Sequence, residues 1–535
     1  MLRDFNLAVA VGSLGLVAFC LQACGDREST QEVTEVDVAP AAAVNAEAAA
    51  GVLWQTDPEA AFEEARSSGR PVMLYFTADW CPPCHDLKAH VFPQPGFIEK
   101  SRLFVPVYLD GDQPQAQMWG DKLGVIGYPT LVVMDSAGTE IIRVSGGMNL
   151  TAYEEVLETA LSVTQPMDDL LASLDGVGDL TLASCRRLAY HAWSMDSAYS
   201  DSGYEVGVKL LSASEHCPAE VPVVRARLKI IAAALLAPTS ASDVEQDGEV
   251  TDTVMWQALE DVYNVSQDPE QADPNALIVL SAPQEFYTLS YRFGEAEGVD
   301  VVTPWVESLA RFAEDPGNTS FTRLYAIGGR LTLIRGSAEE GNIPEADIVD
   351  AREAVARFLD EEAVGYGRSA LLVPAVFTLT AIGDNEAAQS LLLEEMEQSK
   401  TPYYQMSSLA ELMEEAGDQA QALDWFERAY DDSKGYETRL RWGSDYVRAC
   451  IRLNPNDADR IVAAAIKVIN EIEGADWSAR AQRNIDRLET SLTDWSAGGE
   501  HDAALAEIRS VMLEACRAIE HQPAATCEGF LETGA

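Results

Sequence analysis

The sequence predicts a multidomain chain, with an α/β domain over residues 53–163 followed by an all-α helical-repeat region over 164–535. Three observations carry that expectation. A chain of 535 residues is too long for one hydrophobic core, and its 47% hydrophobic content supplies material for several. Between residues 53 and 163, short apolar runs alternate with amphipathic stretches in the order βαβαββα. From Met167 onward, helical spacing dominates and strand signals are few.

The elements come in order along the chain. Asp57 before Pro58 and the acids Glu59, Glu63 and Glu64 mark a helix start, and Gly69 ends it. "PVMLYF", Pro71 to Phe76, is a short apolar run bounded by turn signals, the pattern of a buried central strand. Cys81 comes five residues later and opens a helix through Leu87 and Val91. "LFVPVYL", Leu103 to Leu109, is the next strand, and residues 115–123 form a helix leading to Gly127-Tyr128-Pro129-Thr130. Leu131 to Met134 is apolar, Ser136-Ala137-Gly138 turns the chain into "TEIIRVSGG", and 150–163 has helical apolar spacing.

Chemistry concentrates at Cys81-Pro82-Pro83-Cys84-His85. A cysteine at a helix start faces unpaired N–H groups and the positive end of the dipole, which favour its thiolate. The same residues also spell the Cys-x-x-Cys-His pattern of c-type haem attachment. Haem needs an open pocket and a second axial ligand beside His85, whereas this motif sits between a buried strand and a helix that closes over it. Zinc would need two more ligands, and no second Cys/His pair at metal spacing occurs in this segment, so no metal is expected. An inert structural disulfide closing so small a ring would gain little loop entropy. A redox dithiol is the favoured reading.

Trp80-Cys81-Pro82-Pro83-Cys84 after an apolar strand, with Gly127-Tyr128-Pro129-Thr130 downstream, resembles the thioredoxin family. Residues 53–163 are most similar to the periplasmic C-terminal domain of the transmembrane thiol:disulfide interchange reductase. The resemblance implies a thiol:disulfide oxidoreductase acting on protein thiols and disulfides, with an unidentified electron donor or acceptor. Its one redox centre would be the Cys81–Cys84 disulfide, with no other cofactor. It also implies that Cys81 is the exposed attacking thiol, Cys84 the buried resolving thiol and Pro129 a cis-proline, with Trp80, Tyr128 and Thr130 beside them to bind substrate. Family members often carry a buried aspartate six residues before the first cysteine. Here Tyr75 stands there, leaving Asp79 or Asp86 as substitutes. His85 is expected to be exposed, and a Pro-Pro dipeptide without histidine inclines the reading towards a reductant or isomerase.

In the long remainder, Gly383-Asp384 with Ala388 and Leu392 recurs 34 residues later as Gly417-Asp418 with Ala422 and Phe426. That is the tetratricopeptide period, and Leu409 to Tyr430 resembles this repeat, the clearest stretch being 368–434. Gly417 and Ala422 would let two helices approach, with Phe426 filling the gap. Looser hairpins surround the "NPND" turn and Gly498-Gly499. Such a solenoid implies a concave protein-binding surface, so a tetratricopeptide-like adaptor with a minor redox module is the alternative function.

The first 24 residues resemble a bacterial lipoprotein signal: Arg3, an apolar run from Leu7 to Leu21, and Leu21-Gln22-Ala23-Cys24, with Cys24 the lipidated residue. Residues 25–52 form an acidic, Ala-rich tether. The chain is therefore expected in the exported cell envelope, held to the membrane only through its N-terminal lipid. Export permits disulfides, and local pairing links Cys185 with Cys217 and Cys516 with Cys527, leaving Cys450 alone. With 87 acidic and 37 basic residues the net charge is −50, which repels phosphate backbones and makes nucleic acid an unlikely partner.

Overall fold

The structure is a computed structural model that describes residues 51–146, 148–163, 165–174, 178–199, 202–237, 253–281, 284–337, 341–472, 479–517, 527 and 529–531. The expected signal, Cys24 and all but the last two residues of the tether lie outside them. The described residues fall into two compact units, one holding 51–110 and 124–384, the other 111–123 and the residues from 385 onward.

The α/β elements begin with α1 (Pro58–Ser68), β1 (Val72–Thr77) and α2 (Pro82–Asp86), which runs into a π-helical turn (Leu87–Val91). They continue with α3 (Pro95–Ser101), β2 (Val105–Asp110), α4 (Pro114–Lys122), β3 (Thr130–Met134), β4 (Glu140–Ser145) and α5 (Leu150–Ser162). Asp57 caps α1 by accepting the N–H groups of Glu59 and Ala60, and Gly69 closes it at φ 74°, a conformation that costs glycine nothing. The single helix expected after Cys81 is instead a short α-helix continued by the π turn, where the Phe92 N–H donates to the Leu87 carbonyl at 2.9 Å.

The sheet has the order β2-β1-β3-β4, with β1 parallel to β2 and antiparallel to β3, and β3 antiparallel to β4. Every residue of β1 and of β3 is buried, which explains why both read as continuous apolar runs rather than alternating ones. Gln55 extends the edge, donating to the Pro106 carbonyl at 2.9 Å and accepting the Tyr108 N–H at 2.8 Å. Met73, Tyr75, Leu131 and Val133 on one sheet face pack with Phe97, Phe104, Tyr153 and Val156 of the flanking helices and loops.

The other described residues of the first unit are largely helical. Arg187, fully buried on helix Leu182–Tyr190, donates through Nε and Nη2 to the Ile141 carbonyl of β4 at 3.0 and 2.7 Å. Arg143 of β4 reaches the Gly124 and Met195 carbonyls, both at 3.2 Å. These buried guanidinium contacts tie the sheet edge to the helices that come after it. Cys185 and Cys217 form a disulfide with a Cα–Cα distance of 5.9 Å.

In the second unit, helices Pro402–Glu415 and Gln419–Asp432 pair as a hairpin in which Ala422 and Phe426 are buried. The sequence assigned Gly417 to close helix approach; the structure corrects this. Gly417 sits at φ 81°, and a Cβ there would meet nothing within 4 Å, so glycine serves the left-handed turn instead. The hairpins around "NPND" and Gly498-Gly499 are helices Tyr436–Leu453 with Ala458–Asn470, and Ala479–Trp495 with Asp502–Arg517. Cys516 pairs with Cys527 at a Cα–Cα distance of 6.0 Å, and among the described residues Cys450 is free and buried.

Candidate functional site

Cys81 is the N-cap of α2, in extended conformation, and Pro82 occupies the first helical position. Its Sγ accepts the backbone N–H of Cys84 at 3.2 Å, so the sulfur rather than an oxygen side chain satisfies a free helix donor. Cys81 and Cys84 are joined in a disulfide, with Cα atoms 5.2 Å apart. Trp80 and Tyr128 pack on this pair, their ring centroids 5.7 Å apart, and the Tyr128–Pro129 bond is cis. Thr130 begins β3 and donates its hydroxyl to the Gly127 carbonyl at 2.8 Å. Gly146 completes the ring: a Cβ there would lie 3.1 Å from Pro129 Cγ, a tight contact to which the proline would have to yield, and 3.9 Å from Pro83 Cβ, an ordinary one.

Two expectations about exposure are corrected. Cys81 is 3% exposed rather than open to solvent, enclosed in a small apolar cluster with Ala78, Cys84, Trp80 and Tyr128. His85 is 8% exposed, because helix Gly365–Ala381 packs directly on α2 and lays the Tyr366 ring 5.1 Å from the imidazole. Burial, helped by the nearby Lys88 cation, lowers the His85 pKa to about 4, so the ring is neutral.

The position of the family's aspartate is filled by a fully buried phenol. Tyr75 donates to the Cys84 carbonyl at 3.3 Å, and burial raises its pKa well above the ordinary tyrosine value, so it accepts no proton near neutrality. Neither proposed substitute is free for that task. Asp86 is buried and binds the His90 Nδ1–H at 2.7 Å and the Thr319 hydroxyl at 3.1 Å. Asp79 is largely exposed and lies 3.9 Å from Lys88 Nζ.

The structure adds residues that the sequence reading missed. His90, on the π turn, also donates through Nε2 to Glu362 at 2.7 Å and lies 3.1 Å from the Ser320 hydroxyl. Burial disfavours its charged form, but the hydrogen bonds to Asp86 and Glu362 outweigh this and raise its pKa to about 9. Lys88 lies between the rings of Tyr108 and Tyr366, Nζ 5.3 and 5.1 Å from their centroids. Lys88 had a legible signal, since it comes one helical turn after Cys84; Glu362 and Tyr366 had none, being brought here from far along the chain by tertiary packing.

Away from the dithiol, Glu140, His191 and Asp196 offer ligand atoms within 4.8 Å of one another. Arg143 occupies that cluster, its guanidinium 2.8 Å from Glu140 and 3.5 Å from Asp196, so these carboxylates already have their cation.

Residues 58–161 match a family model described as "Thioredoxin-like domain". This segment is a thioredoxin-like domain. It is 34% identical over 97 residues to the thiol:disulfide interchange protein DsbD of Photorhabdus laumondii subsp. laumondii, a match covering 17% of each chain. It is 32% identical over 85 residues to the chloroplastic thioredoxin-like protein HCF164 of Oryza sativa subsp. japonica, covering 16% of this chain and 32% of that one. Both likenesses therefore concern only a minor part of either protein. Among solved structures, a DsbH oxidoreductase is 23% identical, with 25% of this chain and 96% of that chain covered and a TM-score of 0.20. The thioredoxin-like domain is followed by a largely helical region, and no helix among the described residues is long and apolar enough to cross a membrane.

Proposed function

We propose that this chain is an exported thiol:disulfide oxidoreductase, lipid-anchored through Cys24, that acts on protein disulfides with the Cys81–Cys84 dithiol as its one redox centre. The observation that carries it is the Cys81–Cys84 pair at the N-terminus of α2, beside the cis Tyr128–Pro129 bond, within a thioredoxin-like domain. In the reducing direction, the Cys81 thiolate attacks one sulfur of a substrate disulfide; the other leaves as a thiolate, and a Cys81–substrate mixed disulfide remains. Cys84 then attacks Cys81 Sγ, closing the Cys81–Cys84 bond and releasing the second substrate sulfur. Two electrons pass to the substrate, and a reductant from the cell envelope restores the dithiol. Trp80 and Tyr128 pack on the pair, Pro129 and Thr130 come directly after Tyr128 in the chain, and these four would contact the incoming chain.

The packing of Tyr366 on His85 favours this reading over haem attachment, because the imidazole that would bind iron is already covered. The same packing favours a second role for the helical region, which would select protein partners for the dithiol beside it. Insulin-disulfide reduction tests the proposal. The full chain should be active and the Cys81→Ser, Cys84→Ser chain inactive; equal rates would overturn it.

A further inference from the structure

A lysine buried without a hydrogen bond is rare, because desolvating an ammonium costs more than packing an apolar chain of the same length. Lys88 is such a residue. Its side chain is 8% exposed, and among the described residues its Nζ has no hydrogen-bond partner. The Tyr108 ring from β2 and the Tyr366 ring from helix Gly365–Ala381 flank it, giving a desolvated cation only partial recompense. Stability alone gives no reason for a cation here.

Its place suggests one. Lys88 comes four residues after Cys84 along the continuous helical path of α2 and the π turn, the spacing that puts two side chains on one face. Among the described residues, the charged groups around it are few. Asp79, before the dithiol, lies 3.9 Å away, but its side chain is 56% exposed and water screens it. Asp110, at the end of β2, adds a second attraction, and His85, on the same helix, is neutral. Tyr75 and Tyr108 bring phenols whose pKa values burial raises, so neither carries charge. The residue on the buried cysteine's own helical face is therefore a cation, and Tyr75 supplies no carboxylate beneath it.

We propose that Lys88 is the electrostatic residue of this dithiol: its buried ammonium stabilises the Cys84 thiolate that must form before the mixed disulfide can be resolved. In that step Cys84 gives up its proton, and its thiolate attacks Cys81 Sγ. The Cys81–substrate bond breaks, and the substrate sulfur leaves as a thiolate that takes up a proton from solvent. Lys88 keeps its own proton throughout and acts on the equilibrium between thiol and thiolate. Stabilising the thiolate also stabilises the reduced pair, which makes the couple more oxidising than neutral surroundings would.

This inference deepens the proposed function and rests on it, so its test uses no protein substrate. In full-length Cys81→Ser protein, the rate of iodoacetamide alkylation at Cys84, read by peptide mass spectrometry, is measured against pH. With Lys88 present, the inflection should fall below the ordinary thiol value of about 8.5, although burial alone would raise it. Lys88→Met should move the inflection upward by at least about one unit, a tenfold smaller thiolate fraction at neutral pH, while Lys88→Arg keeps it low. An inflection unmoved by Lys88→Met, or one above 8.5 with Lys88 intact, overturns the proposal; the second reading decides the matter even if Lys88→Met does not fold. A low inflection at Cys84, together with a wild-type chain that fails to reduce insulin, would sink the proposed function and leave the role of Lys88 standing.

Discussion

A histidine whose two ring nitrogens both donate to carboxylates is held as the imidazolium, and His90 is in that position between Asp86 and Glu362. Its pKa of about 9 lies above the unfolded value of about 6.5, so its contribution to stability is complete below pH 6.5 and is lost as pH rises through 9. Urea unfolding of the wild-type chain should weaken over that window by up to about 2–3 kcal/mol, while His90→Gln should be flatter. Identical slopes in the two proteins would remove His90 from the account. The two cysteines differ at the same scale, because Cys81 caps the helix and Cys84 lies one turn inside it. Cys84→Ala should leave attack by Cys81 intact and remove the escape, so envelope proteins should accumulate on Cys81 as mixed disulfides that dithiothreitol releases. Capture by Cys81→Ala and not by Cys84→Ala would show that the two roles are reversed.

At the scale of elements, β1 delivers the dithiol and the π turn re-aims the side chains beyond it. The stretch carrying Lys88 and His90 lies in that turn and meets helices Ser320–Ser337 and Gly365–Ala381. The hairpin of helices Pro402–Glu415 and Gln419–Asp432 depends on two residues of opposite kinds. Phe426 is buried between neighbouring helices, so Phe426→Ala should destabilise the full chain by about 3–5 kcal/mol in urea unfolding. Gly417→Ala should cost about 1–2 kcal/mol through its left-handed backbone, although no atom stands in the way of a Cβ. An unchanged unfolding midpoint in either variant would contradict the packing described.

Across the whole molecule, the redox helix lies inside the first compact unit, covered by helices that come after the thioredoxin-like domain in the chain. The helical region is therefore part of the surroundings of the dithiol, through Tyr366 on His85 and Glu362 on His90. Under the proposed function, a lipid on Cys24 would decide where this machinery works. Cys24→Ser should release the protein from membranes or leave an uncleaved precursor, as judged by fractionation and intact mass. Unchanged attachment at an unchanged mass would refute the anchor.

The sequence by itself determined the elements of the α/β domain and its dithiol, because both are local properties. An apolar run flanked by turn residues makes a buried strand, and a cysteine before proline at a helix start makes an N-cap, whatever lies elsewhere in the chain. It also indicated the cysteine pairs, since Cys185 with Cys217 and Cys516 with Cys527 are near neighbours along the chain. The burial of Cys81 and His85 was not legible, nor was the partner of His90, because each depends on residues that only the folded chain brings together. Tyr366 and Glu362 look like ordinary surface residues beside exposed Val364. Only the tertiary structure decided that they meet the redox helix, because packing one helix on another is settled by the shapes of whole surfaces rather than by spacing along one strand of sequence.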